Sequence, residues 1–310
     1  MKVLVTGGCG FIGSAVVRAL AARGDEVTVA DVPGAKDDRI RDVAKEVSRV
    51  DLDVTDYGAA RQLVAAERPE AVIHLAWYAV PGKYPSSPEN VPFIGATLNL
   101  MQASASAGVK KWIGIGTCFE YDFENGWMHE ASPTKPASLY AASKLATFTA
   151  AVKLAENLEL PMAWVRFFYQ YGPWEHPERL VASVTRKLLK GEKAQASSGE
   201  QVRDFLHVDD DASGVLAVLD SDLAGAVNVG SGVPSTVRQI VETIGELTGR
   251  GELIDLGAYQ PRPDDPPMVV ADNRKLRTAT GWKPRYDLRS GLADTVEWWR
   301  KRLAETGELA

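Results

Sequence analysis

Short apolar runs alternate with longer amphipathic stretches through the first half of the chain. Val3-Leu4-Val5, Glu26 to Ala30, Val47 to Val50, Ala71 to Ala76, Lys111 to Gly116 and Met162 to Phe168 are each three to seven residues long and rich in β-branched or aliphatic side chains, the pattern of buried strands. Between them, Ser14 to Arg23, Tyr57 to Glu67, Phe93 to Ala107 and about Tyr140 to Asn157 carry apolar positions at helical spacing. Alternation of this kind predicts a parallel sheet with helices on its faces. Beyond Phe168 the regularity fades. Helices are expected at Leu180 to Lys190, Asp209 to Leu219, Thr236 to Thr248 and Leu288 to Glu305, with short strands at Asp204 to Val208 and Val227 to Gly230. Pro261 to Pro267 reads as a rigid extended loop. The predicted fold is α/β: a Rossmann-like, doubly wound parallel sheet over residues 1–168, with 203–220 returning to it, and a smaller C-terminal α/β lobe for substrate over 169–310.

The first strand runs directly into Gly7-Gly-Cys-Gly-Phe-Ile-Gly13 and then a helix. Glycines placed between a strand and a helix let backbone N–H groups and the helix N-terminus meet a pyrophosphate. The second strand ends in Asp31, about 20 residues further on, where an acidic side chain binds the adenosine ribose hydroxyls. A carboxylate there disfavours a 2′-phosphate, so the expected cofactor is NAD rather than NADP. The same glycines in a plain βαβ unit would only tighten a turn.

Composition narrows the class. The chain has 310 residues, with 35 Lys and Arg against 41 Asp and Glu, a net charge of −6. A mildly acidic surface without a basic stripe does not suit a nucleic-acid partner. No apolar stretch approaches a membrane span, the first residues enter a strand with no leader pattern, and the two cysteines, Cys9 and Cys118, make neither a disulfide framework nor a metal site. A cytoplasmic, soluble enzyme with no metal is the expectation.

Tyr140-Ala-Ala-Ser-Lys144 opens the long helix and puts a phenol and an ammonium on one face. A cation beside a phenol favours the phenolate and prepares it as a general base. Thr117, at the carboxyl end of a strand, adds a hydroxyl for the reacting oxygen. Tyr-x-x-x-Lys alone is a common helix face; behind a nucleotide-binding glycine turn it points to hydride and proton transfer.

With these residues in place, the chain resembles the extended short-chain dehydrogenase/reductase family, the NAD-dependent nucleotide-sugar epimerases, dehydratases and reductases. The markers are Thr6 to Gly13, Asp53, His74-Leu-Ala76, Thr117 to Tyr121, Tyr140 with Lys144, Tyr171-Gly-Pro173, Arg203 to Val208 and Gly281-Trp-Lys-Pro284. The resemblance implies that Gly7, Gly10 and Gly13, with Phe11 and Ile12, face the pyrophosphate. It places Asp53 and Val54 at the adenine, Leu75 and Ala76 near the cofactor ribose, and Lys144 on the nicotinamide ribose. Arg203 and Arg262 would grip the diphosphate of a nucleotide-diphosphate sugar, and Glu178-Arg179-Leu180 resembles a nucleotide-contacting stretch. Tyr169 stands where the family usually has Asn, and with the aromatic pair Trp77-Tyr78 it is expected to line the sugar pocket. The Asp-Glu pair that performs elimination in the 4,6-dehydratases is Cys118-Phe119 here, which leaves chemistry at a single carbinol: 4-epimerisation, or reduction of a 4-keto-6-deoxysugar by NADH or NADPH. A non-catalytic NAD-binding regulator is the third possibility, disfavoured by retention of Thr117, Tyr140 and Lys144. By family analogy the helices around Leu98 to Ala107 and Ala141 to Leu154 would form a homodimer interface.

Overall fold

A computed structural model describes residues 1–260 and 265–309. Its centre is a seven-stranded parallel sheet built from β1 (Lys2–Thr6), β2 (Glu26–Asp31), β3 (Val47–Asp51), β4 (Ala71–His74), β5 (Lys111–Thr117), β6 (Met162–Phe167) and β7 (Gly225–Val229). The strand order is β7-β6-β5-β4-β1-β2-β3. Strand order therefore reverses between β1 and β4, which are paired from Val3↔Ala71 to Thr6↔His74. Connections leave in opposite directions at such a point and open a crevice at the carboxyl ends of the strands, where ligands bind in open α/β sheets.

Helices α1 (Phe11–Arg23), α2 (Tyr57–Glu67), α3 (Pro92–Ser106) and α4 (Leu139–Leu158) follow strands of the first half. The second half adds α5 (Leu180–Leu189), α6 (Val208–Leu219), α7 (Val237–Thr248), α8 (Arg274–Thr280) and α9 (Leu288–Glu305). Successive strand residues point to opposite faces, and β1 shows the consequence. Val3 and Val5 pack with Val16, Val17 and Leu20 of α1 and Val215 and Val218 of α6. Leu4 faces the other way, into a core with Val64 of α2, Leu100 and Met101 of α3 and Ala151 and Ala155 of α4. All three β1 residues are fully buried, which is why the strand reads as a continuous apolar run.

A further core lies away from the main sheet's helices, in which Val181, Val184 and Leu188 of α5 meet Ile240, Val241 and Ile244 of α7 and Leu292 and Val296 of α9. Short strands brace it: Ser235–Thr236, Val202–Arg203, Met268–Ala271 and Trp127–Met128 form one sheet, while Tyr169–Tyr171 pairs with Phe205–His207 and Ala194–Ala196 with Ile254–Leu256. Two features differ from the sequence expectation. The strand expected at Val227 to Gly230 in the smaller lobe is β7 at the edge of the main sheet, in register with β6 from Gly225↔Ala163 to Val229↔Phe167. Helix α8 has seven residues, too few to show a helical period in sequence. The loop expected at Pro261 to Pro267 lies partly outside the described residues, and Arg262 with it.

Candidate active site

A cleft of about 940 Å³ opens over the carboxyl ends of β1, β2, β4 and β5. Its floor is the glycine turn. Gly7 adopts φ +73°, and a Cβ there would lie 2.6 Å from the Ala76 nitrogen, so only glycine lets the turn lie against the segment leaving β4. A Cβ on Gly13 would come within 2.1 Å of the Gly7 carbonyl oxygen, which holds α1 tight against the turn. Gly10 is the N-cap of α1, with no side-chain cap and no acidic residue in the first turn. The free N–H groups and the positive end of the helix dipole are thus left for an anion. Gly7, Gly10, Phe11, Ile12, Gly13, Asp31, Asp53, Val54, Leu75 and Ala76 all line the cleft. Asp31 ends β2 and accepts the Cys9 N–H at 2.9 Å and the Val32 N–H at 2.9 Å. Asp53 accepts from the Thr55 N–H and hydroxyl at 2.9 and 2.7 Å.

Arg39, which the sequence did not single out, also lines this cleft. Its guanidinium reaches the Cys9 carbonyl at 3.3 Å and the Trp174 carbonyl at 3.5 Å, and its buried Nε has no partner among the described residues. Burial lowers its pKa. Nothing local marks Arg39 in the sequence, because it sits in a short, polar 3-10 turn, Asp38–Val43, with too few residues to show a period.

Thr117, Tyr140 and Lys144 line the opposite end of the same cleft. Thr117 closes β5 and starts a capping box: its hydroxyl accepts the Phe119 N–H at 3.3 Å, and Glu120 Oε1 accepts the Thr117 N–H at 2.9 Å. Glu120 is fully buried and also accepts from Trp164 Nε1 at 3.1 Å and from Arg166 Nε at 2.7 Å. The strand end that carries Thr117 is therefore held by a buried ion pair. Ser138 caps α4 by accepting the Ala141 N–H at 3.2 Å. The Tyr140 N–H donates to the Pro85 carbonyl at 3.0 Å, and its ring meets Tyr84 edge-on at 4.8 Å.

In this structure the Tyr140 phenol and the Lys144 ammonium each have nearer partners than one another. Burial pushes the Tyr140 phenol well above its ordinary value, reinforced by Tyr84, Glu120 and Cys118, and a hydrogen bond from Thr117 draws it back. The Lys144 ammonium instead donates to the Ile115 carbonyl at 2.7 Å and lies 3.7 Å from the centroid of the Trp77 ring. Burial brings Lys144 down to about 7, opposed by Glu120. One turn of helix brings the two side chains within reach, but elements distant in sequence decide where the ammonium docks.

Of the residues expected at the sugar nucleotide, Trp77 and Arg179 line the cleft and Tyr78, Tyr169, Leu180 and Arg203 do not. Tyr169 packs against Phe119 at 6.2 Å and Phe205 at 5.6 Å. Arg203 is buried, stacks 5.5 Å above the Tyr169 ring and is paired with Asp265 at 2.5 Å, so its charge is already met within the chain. Leu180 opens α5 and packs into the core of α5, α7 and α9. Tyr78 is half-buried beside Trp77. Arg262 lies outside the described residues.

A parallel sheet with a glycine turn at the reversal point, and Thr, Tyr and Lys gathered over its carboxyl end, define a short-chain dehydrogenase/reductase of the extended type. Residues 3–230 match the NAD dependent epimerase/dehydratase family, and the chain belongs to that family. It is 30% identical over 324 residues to a dTDP-glucose 4,6-dehydratase of Streptomyces niveus, covering 98% of this chain and 94% of that one. It is 27% identical to a UDP-glucose 4-epimerase of Rhizobium meliloti (strain 1021), covering 97% and 98%. Among solved structures, UDP-glucose 4-epimerase of Thermotoga maritima with UDP-glucose superimposes with a TM-score of 0.86 at 29% identity, covering 98% of this chain and all of that one. The UDP-glucose 4-epimerase of Thermus thermophilus with NAD gives 0.84 at 30%, covering 97% and 99%. The chain is thus an enzyme of the nucleotide-sugar epimerase/dehydratase group, whose cofactor is NAD. Among the described residues no helix is long and apolar enough to cross a membrane.

Proposed function

We propose that the protein is a nucleotide-sugar 4-epimerase that keeps NAD through its cycle. The observation that carries this is the chemistry beside Thr117. Elimination needs an acid and a base there, but the two following positions are Cys118, fully buried with its thiol pushed far up by desolvation, and Phe119. Glu120 is committed to Thr117, Trp164 and Arg166. That leaves Thr117, Tyr140 and Lys144 for proton movement at one carbinol.

The cleft fits a dinucleotide: the uncapped start of α1 and Gly7, Gly10 and Gly13 suit the pyrophosphate, Asp31 the adenosine ribose, Asp53 and Val54 the adenine, and Leu75 and Ala76 the second ribose. Held there, NAD would supply reversible hydride exchange at C4 of the sugar. Thr117 hydrogen-bonds the C4 oxygen, and Tyr140 takes its proton and gives it back. Lys144 holds a positive charge behind them, which lowers the cost of a phenolate in a buried site. We place the cofactor on residues 1–168 with 203–220 and β7, and the nucleotide-diphosphate sugar between that body and the rest of 169–310, with Trp77 and Arg179 on the sugar-nucleotide side.

Purified protein is denatured to release and identify any nicotinamide. Native protein is incubated, without added cofactor, with UDP-glucose, UDP-N-acetylglucosamine, UDP-glucuronic acid and dTDP-glucose, and products are read by NMR. A 4-epimer is expected from at least one, and Tyr140→Phe should lower its rate about 10²–10⁴-fold while NAD stays bound. Net oxidation of added NADH or NADPH with a 4-keto sugar would instead establish a ketoreductase. Undiminished turnover by Tyr140→Phe would remove the mechanism.

A further inference from the structure

We infer that Trp77 is a positioning residue for Lys144, and that Asn90 pins it in place. This rests on Tyr140 and Lys144 acting as described above. Trp77 follows directly on the segment that leaves β4, and three contacts locate its indole. The indole N–H donates to Asn90 Oδ1 at 2.8 Å. Asn90 is fully buried and its amide donates to the Tyr84 carbonyl at 2.7 Å and the Ser87 carbonyl at 2.8 Å, so the pin is itself held by backbone. The ring packs on Phe93, centroids 5.3 Å apart. Its face receives the Lys144 ammonium at 3.7 Å.

An ammonium removed from water needs its donors met or its charge balanced by a polarised surface. The Ile115 carbonyl meets one donor at 2.7 Å, and the indole face supplies an attraction that is strongest when desolvated. The groups around Lys144 that could compete are Glu120 from the end of β5, His74 from β4, Tyr140 on its own helix, and Tyr84 and Cys118 near the phenol. Glu120 is engaged by Arg166. His74 is bound between Thr6 Oγ1 at 2.7 Å and Thr97 Oγ1 at 2.9 Å, held neutral by burial. The loop from Trp77 to Asn90 therefore sets both members of the pair: Trp77 takes the ammonium, while Tyr84 and Pro85 hold the Tyr140 ring and N–H. Trp77 is expected from sequence to line the sugar pocket; from the cleft wall it also faces the lysine.

The test uses full-length protein and two readouts. Tryptophan emission is titrated from pH 5.5 to 9 in wild type, Trp77→Phe and Lys144→Met. Lys144 also lies 5.9 Å from the Trp164 ring, so the amplitude that each substitution removes is the quantity compared. Wild type should lose part of its transition in Trp77→Phe and at least as much in Lys144→Met, and a Trp77→Phe titration with the amplitude of wild type would overturn the contact. Turnover is then measured with whichever of the four nucleotide sugars wild type converts. Trp77→Leu should lower kcat about tenfold and move the alkaline limb of the kcat profile down by about one pH unit, with KM changed less than about threefold. Trp77→Phe, which keeps a π face, should restore most of the rate, and Asn90→Leu should shift the limb in the same direction as Trp77→Leu. A raised KM with an unmoved pH limb would make Trp77 a sugar contact only and sink the proposal. Tyr140→Phe is run beside them: its retained activity would fail the catalytic assignment, while the emission titration judges the Trp77–Lys144 contact by itself.

Discussion

Replacing Glu120 by Gln exchanges one oxygen for an amide and removes one charge, in a place the solvent does not reach. The carboxylate accepts three bonds: Thr117 N–H at 2.9 Å, Trp164 Nε1–H at 3.1 Å and Arg166 Nε–H at 2.7 Å. Glutamine can keep its oxygen on Thr117 and Trp164, but its NH₂ then faces the Arg166 N–H, donor against donor. Arg166 is left a buried cation between the Tyr121 and Phe148 rings, at 4.5 and 4.8 Å. Removing one member of a buried ion pair costs about 3–5 kcal/mol, a large part of the roughly 5–15 kcal/mol that holds an ordinary domain. At about 2 °C per kcal/mol for a chain of this size, the melting temperature should fall by about 6–10 °C. Glu120→Gln, Arg166→Met and the double variant are melted by circular dichroism at pH 7. The double variant should recover part of the loss, since it leaves no uncompensated charge. Glu120 is also the charge that holds Lys144 up at about 7, so Lys144 should titrate lower in Glu120→Gln and the alkaline limb of activity should move down. If Glu120→Gln melts within about 2 °C of wild type, the buried pair does not hold the strand end and the account of Thr117 is wrong.

Glu175 is fully buried before α5, accepts the Ala182 N–H at 3.2 Å, and desolvation raises it to about 8 from 4.5. The folded state therefore binds this proton more tightly than the unfolded chain, and its contribution is whole below about 4.5 and lost as pH rises to about 8. Melting temperatures measured from pH 5 to 8.5 should fall less steeply in Glu175→Gln than in wild type; identical slopes would exclude this group as the source. Asp211 of α6 is fully buried with neither carboxyl oxygen hydrogen-bonded among the described residues. Asp211→Val should stabilise the protein by about 1–3 kcal/mol in guanidinium unfolding at pH 7.5, and a loss of stability would mean that the carboxyl has a partner in solution. We propose that α3 and α4 form a homodimer face; light scattering should give twice the 33.6 kDa chain mass, and a glutamate at the exposed Ala150 of α4, Ala150→Glu, should lower it to one.

Local pattern carried the parallel sheet, because strand and helix periods differ and each buried run had to be apolar on both faces. It also carried most of the lining of the candidate cleft, since a glycine turn between strand and helix, an acid at the end of the next strand and Tyr and Lys one turn apart are all short-range relations. Whatever depends on a partner far along the chain had to wait for the folded molecule. Tyr169 packs on Phe205, Leu180 joins the core that α7 and α9 complete, and Arg203 pairs with Asp265, and none of these partners is close in sequence. Arg39 reaches the cleft from a segment without periodicity, and β7 joins β6 across more than fifty intervening residues. Spacing could place Lys144 beside Tyr140; only packing could set its ammonium on the Ile115 carbonyl, 29 positions back, and on the face of Trp77. A desolvated charge goes to the strongest partners the fold presents, and those partners exist only once the strands and the loop after β4 have come together.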